Sequence, residues 1–255
     1  MKLLRYLAAL AALGLLWQAG VWLLGERVLP SPLAVGRHLA YAAGTADFWR
    51  HVRASGVRAL AGVFSGFAVA FPLGLLLGHM KRLDAWASPF IFLTYPAPKI
   101  LALPALLVLL GLGEAPKIIL IALTVGYQVL AVTRDSVRGL DPRYLDSFAA
   151  MHSGGRNGRF KVRRALQLAR HVLVPAALPS AVTSLRLAAG TAVAVLFMAE
   201  SFVTDQGLGF LIMDAWGGLD LPRMFSGIIA MSLLGALLYE ACNLIERLFC
   251  RWAYL

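Results

Sequence analysis

Long apolar runs constrain this chain more than any other feature of its sequence. The stretch from Tyr6 to Gly25 contains no charged residue, and a helix of about 20 residues spans roughly 30 Å, the thickness of a bilayer hydrocarbon core. It is longer than the apolar part of a signal peptide and no clear cleavage site follows it, so we interpret it as a retained first span. Five further runs predict an all-α, six-helix transmembrane domain over residues 1–255, with spans at about 6–25, 59–80, 85–112, 116–134, 177–199 and 224–246.

The composition excludes a soluble globular domain. Hydrophobic residues make up 60% of the chain and charged residues only 15%, whereas soluble domains carry about 25% charged residues. A soluble fold of this length could not bury so much apolar surface, because much of any globule stays in contact with water. The bilayer is therefore the predicted solvent.

The net charge of +11 has two interpretations. It could serve nucleic-acid binding, but no basic stretch carries interleaved aromatic residues for base stacking. Lys and Arg also collect in the cytoplasmic loops of membrane proteins, and more of the 24 Lys and Arg residues lie on one side of the six spans than on the other. We therefore predict cytoplasmic N- and C-termini, a cytoplasmic loop at about 135–174, contact with membrane lipid and no nucleic-acid partner.

Small residues recur every four positions in the second span. In a helix this spacing gives a stripe with almost no side chain, which lets a neighbouring backbone approach closely. The stripe is predicted to be a helix-packing surface, and it could also adjoin a solute pathway. Its members are Gly62, Gly66, Ala70, Gly74 and Gly78.

Polar breaks interrupt two other spans. Pro96 and Pro98 disrupt the helix in the third span beside Lys99, which could face an anionic solute or reach the headgroups. In the fifth span Arg186 is expected to reach the headgroups, and Glu200 at its end is a candidate gate or pathway residue. The stretch "DQGLGFLI" after it is too short to cross and predicts a re-entrant or interfacial element.

The sequence shows no signature of an enzyme. It lacks a Walker phosphate loop, an H-E-x-x-H pair and a C-x-x-C pair, and its five histidines have no ligand spacing, so we predict no catalytic and no metal site. Polar breaks without catalytic residues indicate a solute pathway whose energy comes from an ion gradient or from a separate ATPase. Acidic residues within the spans are scarce, which disfavours ion coupling. A structural membrane protein is the third alternative.

Several ordered motifs resemble one family. These are "LPSP" at 29–32, "GLGEAPKI" at 111–118, "VRGLDPRYLD" at 137–146, "AAMHSG" at 149–154 with "HVLVPAALPSAVTSLRLAAG" at 171–190, and "AESFVTDQGLGFLI" at 199–212. The loop motif resembles the EAA loop of ABC-importer permeases, and the ordered set resembles their taurine/sulfonate/nitrate-type subfamily.

The resemblance implies a type I ABC-importer permease fold in a bacterial cell (inner) membrane. Two permease chains, as a homodimer, would enclose one pathway and work with two cytoplasmic ABC ATPase subunits and a periplasmic or lipid-anchored solute-binding protein. ATP and Mg would be bound by the ATPase, and this chain would bind no cofactor. The solute would be a sulfonate-, taurine- or nitrate-like anion or a vitamin precursor.

The resemblance also implies a cytoplasmic coupling helix that enters a cleft of the ATPase. The residues that match this segment are Tyr144, Ser147, Phe148, Ala149, Ala150, Met151, His152, Ser153, Gly154 and Gly155. Phe148 stands where the family pattern has Glu, and the spacing from Gly154 to Pro175 is longer than in the family. We interpret "GGRNGRFKVRR" as an inserted, mobile and solvated turn, and Pro175 and Pro179 as residues that stiffen the entry to the fifth span.

Overall fold

The computed structural model describes residues 2–151, 158–202 and 204–254, and every regular element in those ranges is helical. The helices are α1 (Lys2–Leu24), α2 (Pro32–Ala43), α3 (Ala46–His79), α4 (Lys81–Thr94), α5 (Leu103–Leu110), α6 (Ala115–Arg138), α7 (Pro142–Met151), α8 (Gly158–Leu168), α9 (Val174–Ser201), α10 (Leu208–Gly217) and α11 (Leu221–Phe249). Short 3₁₀ turns lie at Lys99–Ala102 and Arg251–Tyr254, and a π-helical turn lies at Ala169–Leu173.

Four helical segments of the described chain are long and apolar enough to cross a membrane. They are α3, α6, the continuous stretch Arg163–Ser201 and α11. The third predicted span is a broken helix, because α4 and the segment Lys99–Leu110 meet at an angle of 91°. In α1 the apolar part, Ala8–Leu24, is a shorter helix, so the count of six spans stays a prediction.

The direction of the helices indicates that the bent pair α4–α5 crosses the membrane once. A Cβ atom placed on Gly62 would lie 2.6 Å from Cβ of Ile121, and one placed on Gly78 would lie 2.6 Å from Cβ of Val137. Helices α3 and α6 therefore run parallel. Since both enter from the same side, the segment between them must return the chain across the apolar layer.

Helix α9 runs antiparallel to α6. Gln128 donates a hydrogen bond to Thr191 near the middle of both helices, and Ser136 lies 3.5 Å from Ser180 near one end. This alternation of α3, α4–α5, α6 and α9 is what successive membrane spans require.

The chain divides into two compact units. One consists of Met1–Val57 and Phe197–Leu234, and the other of Arg58–Leu196 and Gly235–Leu255. In the second unit the stripe of small residues on α3 lies directly against α6. A Cβ atom on Gly66 would lie 2.7 Å from the Ala122 carbonyl oxygen, and one on Gly74 would lie 2.7 Å from Cβ of Thr133. Because dispersion drives helix association in lipid, this approach of the two backbones stabilises the α3–α6 pair.

Candidate functional site

Helix α7, which carries the sequence predicted to couple to an ATPase, has two unlike faces. Phe148 is 5% exposed and Leu145 is partly buried, whereas Tyr144, Ser147 and Ala150 are exposed. The exposed three are spaced at i, i+3 and i+6, which places them along one side of the helix. Of the remaining predicted coupling residues, Ala149 and Met151 belong to α7, and residues 152–155 lie outside the described chain.

The apolar side of α7 attaches it to the ends of three long helices. Leu145 packs against a core cluster of Leu75 from α3, Val137 from α6, Leu173 and Ala177. Because Leu173 and Ala177 flank the start of α9, this one cluster brings α7 into contact with α3, α6 and the start of α9. Phe148 lines a cavity beside α8, which explains how an aromatic side chain replaces the Glu of the family pattern: it is buried within this chain.

The inserted segment differs in part from its prediction as a mobile turn. Residues from Gly158 onward form α8, which continues through the π-helical turn Ala169–Leu173 into α9. The π turn ends just before Pro175, whose ring and missing N–H disturb the α-helical hydrogen-bond ladder of the preceding turn. Pro179 lies inside α9. The rest of the insertion, 152–157, lies outside the described residues.

The break between α4 and α5 is held by Lys99. Its ammonium donates hydrogen bonds to the carbonyl oxygens of Thr94, Tyr95 (3.0 Å) and Ala97 (2.9 Å), and it lies 4.2 Å from the ring centroid of Tyr127. An ammonium group has three N–H donors, so in this conformation the carbonyls left free by the break occupy all of them.

Pro96 and Pro98 account for the free carbonyls around that lysine. Neither proline can donate a backbone hydrogen bond, so the helix cannot continue through them. Both are exposed on the surface of the chain. Backbone of this kind occurs at membrane depth only where protein or water covers it.

Glu200 is 1% exposed near the end of α9. Its carboxylate accepts hydrogen bonds from the Ser55 hydroxyl, at 2.7 and 2.8 Å, and from the Gly209 N–H at 2.9 Å. These donors replace part of the hydration that the carboxylate loses on burial. The carboxylate thereby satisfies one of the backbone N–H groups that the start of α10 leaves free.

Ser55 and His51 also bind the residues at the start of α10. Ser55 accepts a hydrogen bond from the Leu208 N–H at 2.7 Å, and Nδ1 of His51 accepts one from the Gly207 N–H at 3.1 Å. Gly207 has a φ of +130°, and a side chain there would overlap the Glu200 carboxyl. The glycines of "GLG" are therefore required by the close approach of Glu200, and sequence reasoning found Glu200 but missed Ser55 and His51.

A second ionic group fixes the turn between α5 and α6. Glu114 binds Arg58, with one nitrogen-oxygen distance of 2.7 Å, and Lys117 at 3.3 Å. The hydrogen bond from Arg58 holds the pKa of Glu114 below its ordinary value; burial opposes this shift, and the positive charges of Arg58 and Lys117 add to it. The motif "GLGEAPKI" thus supplies both the turn and its ionic attachment.

Arg186 differs from its prediction. Its guanidinium does not extend freely toward headgroups but donates hydrogen bonds to Asn243 and Glu246, both at 2.8 Å. Arg186 in the fifth span and Glu246 in the sixth lie at similar depths. Comparing the charged residues of the two spans could have indicated this pair. Among residues 2–151, 158–202 and 204–254, no three His, Cys, Asp or Glu side chains group closely enough to hold a metal ion.

Known proteins resemble this chain over most of its length. It is 31% identical to SsuC of Escherichia coli (strain K12), a permease protein named for aliphatic sulfonates transport, over 92% of this chain and 87% of that protein. It is 28% identical to the taurine transport system permease protein TauC of the same organism, over 96% of this chain and 88% of that protein.

A solved structure shares the fold. A chain from inward-facing MetNI methionine ABC transporter superposes with a TM-score of 0.62 and 19% identity, covering 78% of this chain and 94% of that chain. The family described as binding-protein-dependent transport system inner membrane component matches residues 70–249. The matched range covers more than half of the chain and includes α7, the broken span and Glu200, and the chain belongs to the family of inner membrane components of binding-protein-dependent transport systems.

Proposed function

We propose that this chain is the permease subunit of an ATP-driven importer and that α7 is its coupling helix. The observation that carries this proposal is the division of α7 into an exposed side and a side packed on the ends of α3, α6 and α9. A helix built in this way can accept a push from a soluble partner on one side and pass it to three membrane helices on the other.

The exposed side of α7 suits a cleft in a partner protein. Ser147 and Ala150 are small, and Tyr144, 64% exposed, lies at the edge of that side. We propose that this face, together with Met151 and residues 152–155, binds a cytoplasmic ABC ATPase. ATP and Mg would be bound by that ATPase, and closure of the ATPase dimer would move α7 and switch the pathway.

The solute pathway is assigned to the surface around the broken span. Pro96, Pro98 and Lys99 place polar backbone at mid-span, where a second permease chain would cover it. In this arrangement Lys99 holds the break and changes the pathway when its carbonyl contacts change. Glu200 fixes the start of α10, which we place on the periplasmic side beside a solute-binding protein.

A small anion of the sulfonate or taurine class is the proposed solute. The support is similarity to SsuC and TauC, whose names state transport of aliphatic sulfonates and taurine. Since the partner binding protein selects the solute in such an assembly, the same permease fold can also serve nitrate or a vitamin precursor.

Reconstitution tests the proposal. Proteoliposomes that contain this chain, its ATPase and its solute-binding protein are expected to take up labelled taurine only with ATP inside and binding protein outside. Uptake driven by an ion gradient without the ATPase would instead show a secondary transporter.

A second test removes residues 155–163. Membrane insertion should persist while co-purification with the ATPase changes. Unchanged co-purification together with unchanged uptake would rule out a docking role for the insertion.

A further inference from the structure

A cavity of about 760 Å³ lies where three helix ends meet. It is bounded by the end of α3, the start of α4 and the end of α6, with α7 on its remaining side. The uncharged runs that include most of α3 and α6 end close to this cavity, at Met80 and Thr133. The cavity therefore lies at headgroup depth, whichever leaflet this side of the protein faces.

The lining combines apolar walls with basic side chains. Leu77, Leu140 and Leu173 contribute apolar surface, and Lys81 and Arg138 are exposed at the cavity. Within the described residues Lys81 has no ion-pair partner. Arg138, 53% exposed, uses one nitrogen in its contact with Asp84 and keeps its other donors available.

The acidic residue in the cavity is already neutralised. Both oxygens of Asp84 are bound by Arg134, and Arg138 lies 3.2 Å from one of them. Arg134 also lies 3.7 Å from Asp135, so with Lys81 added the group has three positive and two negative side chains and keeps an excess of positive charge. Basic sites between membrane helices at this depth attract anionic headgroups.

We propose that this cavity binds the headgroup of an anionic phospholipid such as phosphatidylglycerol. The phosphodiester contacts Lys81 and Arg138, and the acyl chains extend along apolar surface. A lipid fits better than free phosphate because part of the wall is apolar and α4 also exposes Leu83, Trp86 and Phe90. One consequence rests on the proposed function: Leu145 of α7 lines the cavity, so a bound lipid braces the coupling helix.

Native mass spectrometry of the full-length protein tests lipid binding independently of transport. Phosphatidylglycerol is titrated against phosphatidylcholine, and the fraction of protein that retains lipid is compared between wild type, Lys81→Gln with Arg138→Gln, and the control Arg82→Gln. Arg82 is an exposed neighbour on the same helix that does not line the cavity. We expect retention of phosphatidylglycerol to fall about fivefold for each removed cavity charge and to stay unchanged in Arg82→Gln.

Three results would overturn the proposal. These are an equal loss in Arg82→Gln, equal retention of phosphatidylcholine by wild type, and full displacement of lipid by millimolar inorganic phosphate. If the double variant does not fold, Lys81→Gln alone gives the same comparison, because that side chain is exposed and unpaired within the described residues. Lipid binding without any effect of anionic lipid on ATP-driven uptake would leave the site in place and refute only its effect on coupling.

Discussion

Two glycines, Gly66 on α3 and Gly126 on α6, face each other across the contact between these helices, and the space available for an added methyl group differs between them. Gly66→Ala would place a Cβ atom 2.7 Å from the Ala122 carbonyl oxygen and 3.1 Å from its Cα, and backbone atoms cannot rotate away. Gly126→Ala would place a Cβ atom 3.5 Å from the Gly66 carbonyl oxygen, which is ordinary van der Waals contact. The two variants add the same methyl group to the same interface.

The difference between the two variants isolates the packing contribution to the free energy of unfolding. Both replacements gain roughly 1 kcal/mol of helix propensity. In Gly66→Ala the new contact is about 0.7 Å shorter than the 3.4 Å at which ordinary contact begins, and overpacking of this kind costs about 1–3 kcal/mol. We therefore expect Gly66→Ala to be less stable than Gly126→Ala by about 1–3 kcal/mol.

Unfolding of the purified protein in mixed micelles, followed by tryptophan fluorescence, measures this difference. By comparison with soluble domains, it corresponds to roughly 2–4 °C in Tm for each kcal/mol. Gly36→Ala, where a Cβ atom would meet nothing within 4 Å, is a second control outside the interface. Equal stability of Gly66→Ala and Gly126→Ala, or the reverse order, would refute the close approach of α3 and α6.

Three further predictions follow from the site. Glu200→Gln should retain most of the stability of the protein, because the amide oxygen still accepts the Gly209 N–H. Glu200→Ala should lose about 1–3 kcal/mol of unfolding free energy, because it leaves buried donors unpaired. Equal unfolding curves for the two variants would contradict this role of the carboxylate. Lys99→Met should release three carbonyls and lower both Tm and uptake, with Arg82→Met, at an exposed position that does not line the cavity, as the control. Unchanged uptake in Lys99→Met would remove Lys99 from the pathway. The pKa of Glu114 is lower in the folded state than its ordinary value of 4.5, so its stabilising contribution is present above pH 4.5 and is lost as the pH falls through the folded pKa. On acidification below pH 4.5 the Tm of Glu114→Gln should therefore fall less than the Tm of wild type. Parallel Tm profiles would contradict the pairing with Arg58.

Much of the fold was accessible from the sequence because apolar length and the spacing of small residues are local signals. The predicted spans at 116–134 and 177–199 fall within helices α6 and α9, and the predicted span at 59–80 extends one residue beyond α3, which ends at His79. The five small residues of the second span lie together on α3. The broken third span was signalled by Pro96 and Pro98, but neither its angle of 91° nor the binding of its carbonyls by Lys99 was predicted. That arrangement is a property of the folded backbone and has no sequence signature.

The candidate site was less accessible, because its contacts join residues far apart in sequence. Glu200 was identified as a polar residue at the end of a span, yet its partner Ser55 lies on another helix and belongs to a common residue type. The burial of Phe148 could not be predicted for a similar reason. An aromatic residue at a position where the family has Glu does not indicate whether its side chain is buried or exposed. Predicting the helices alone could not reveal either the Glu200–Ser55 contact or the burial of Phe148.

Site-specific cross-linking from α7 tests whether the exposed side of this helix contacts the ATPase. Ser147→Cys on the exposed side and Leu145→Cys on the packed side provide a matched pair, and both native cysteines are buried. In the assembled transporter we expect a cross-link from position 147 to the ATPase whose yield changes with ATP, and little or none from position 145. No cross-link from position 147, equal yields from both positions, or labelling of position 147 only from the periplasmic side would contradict it.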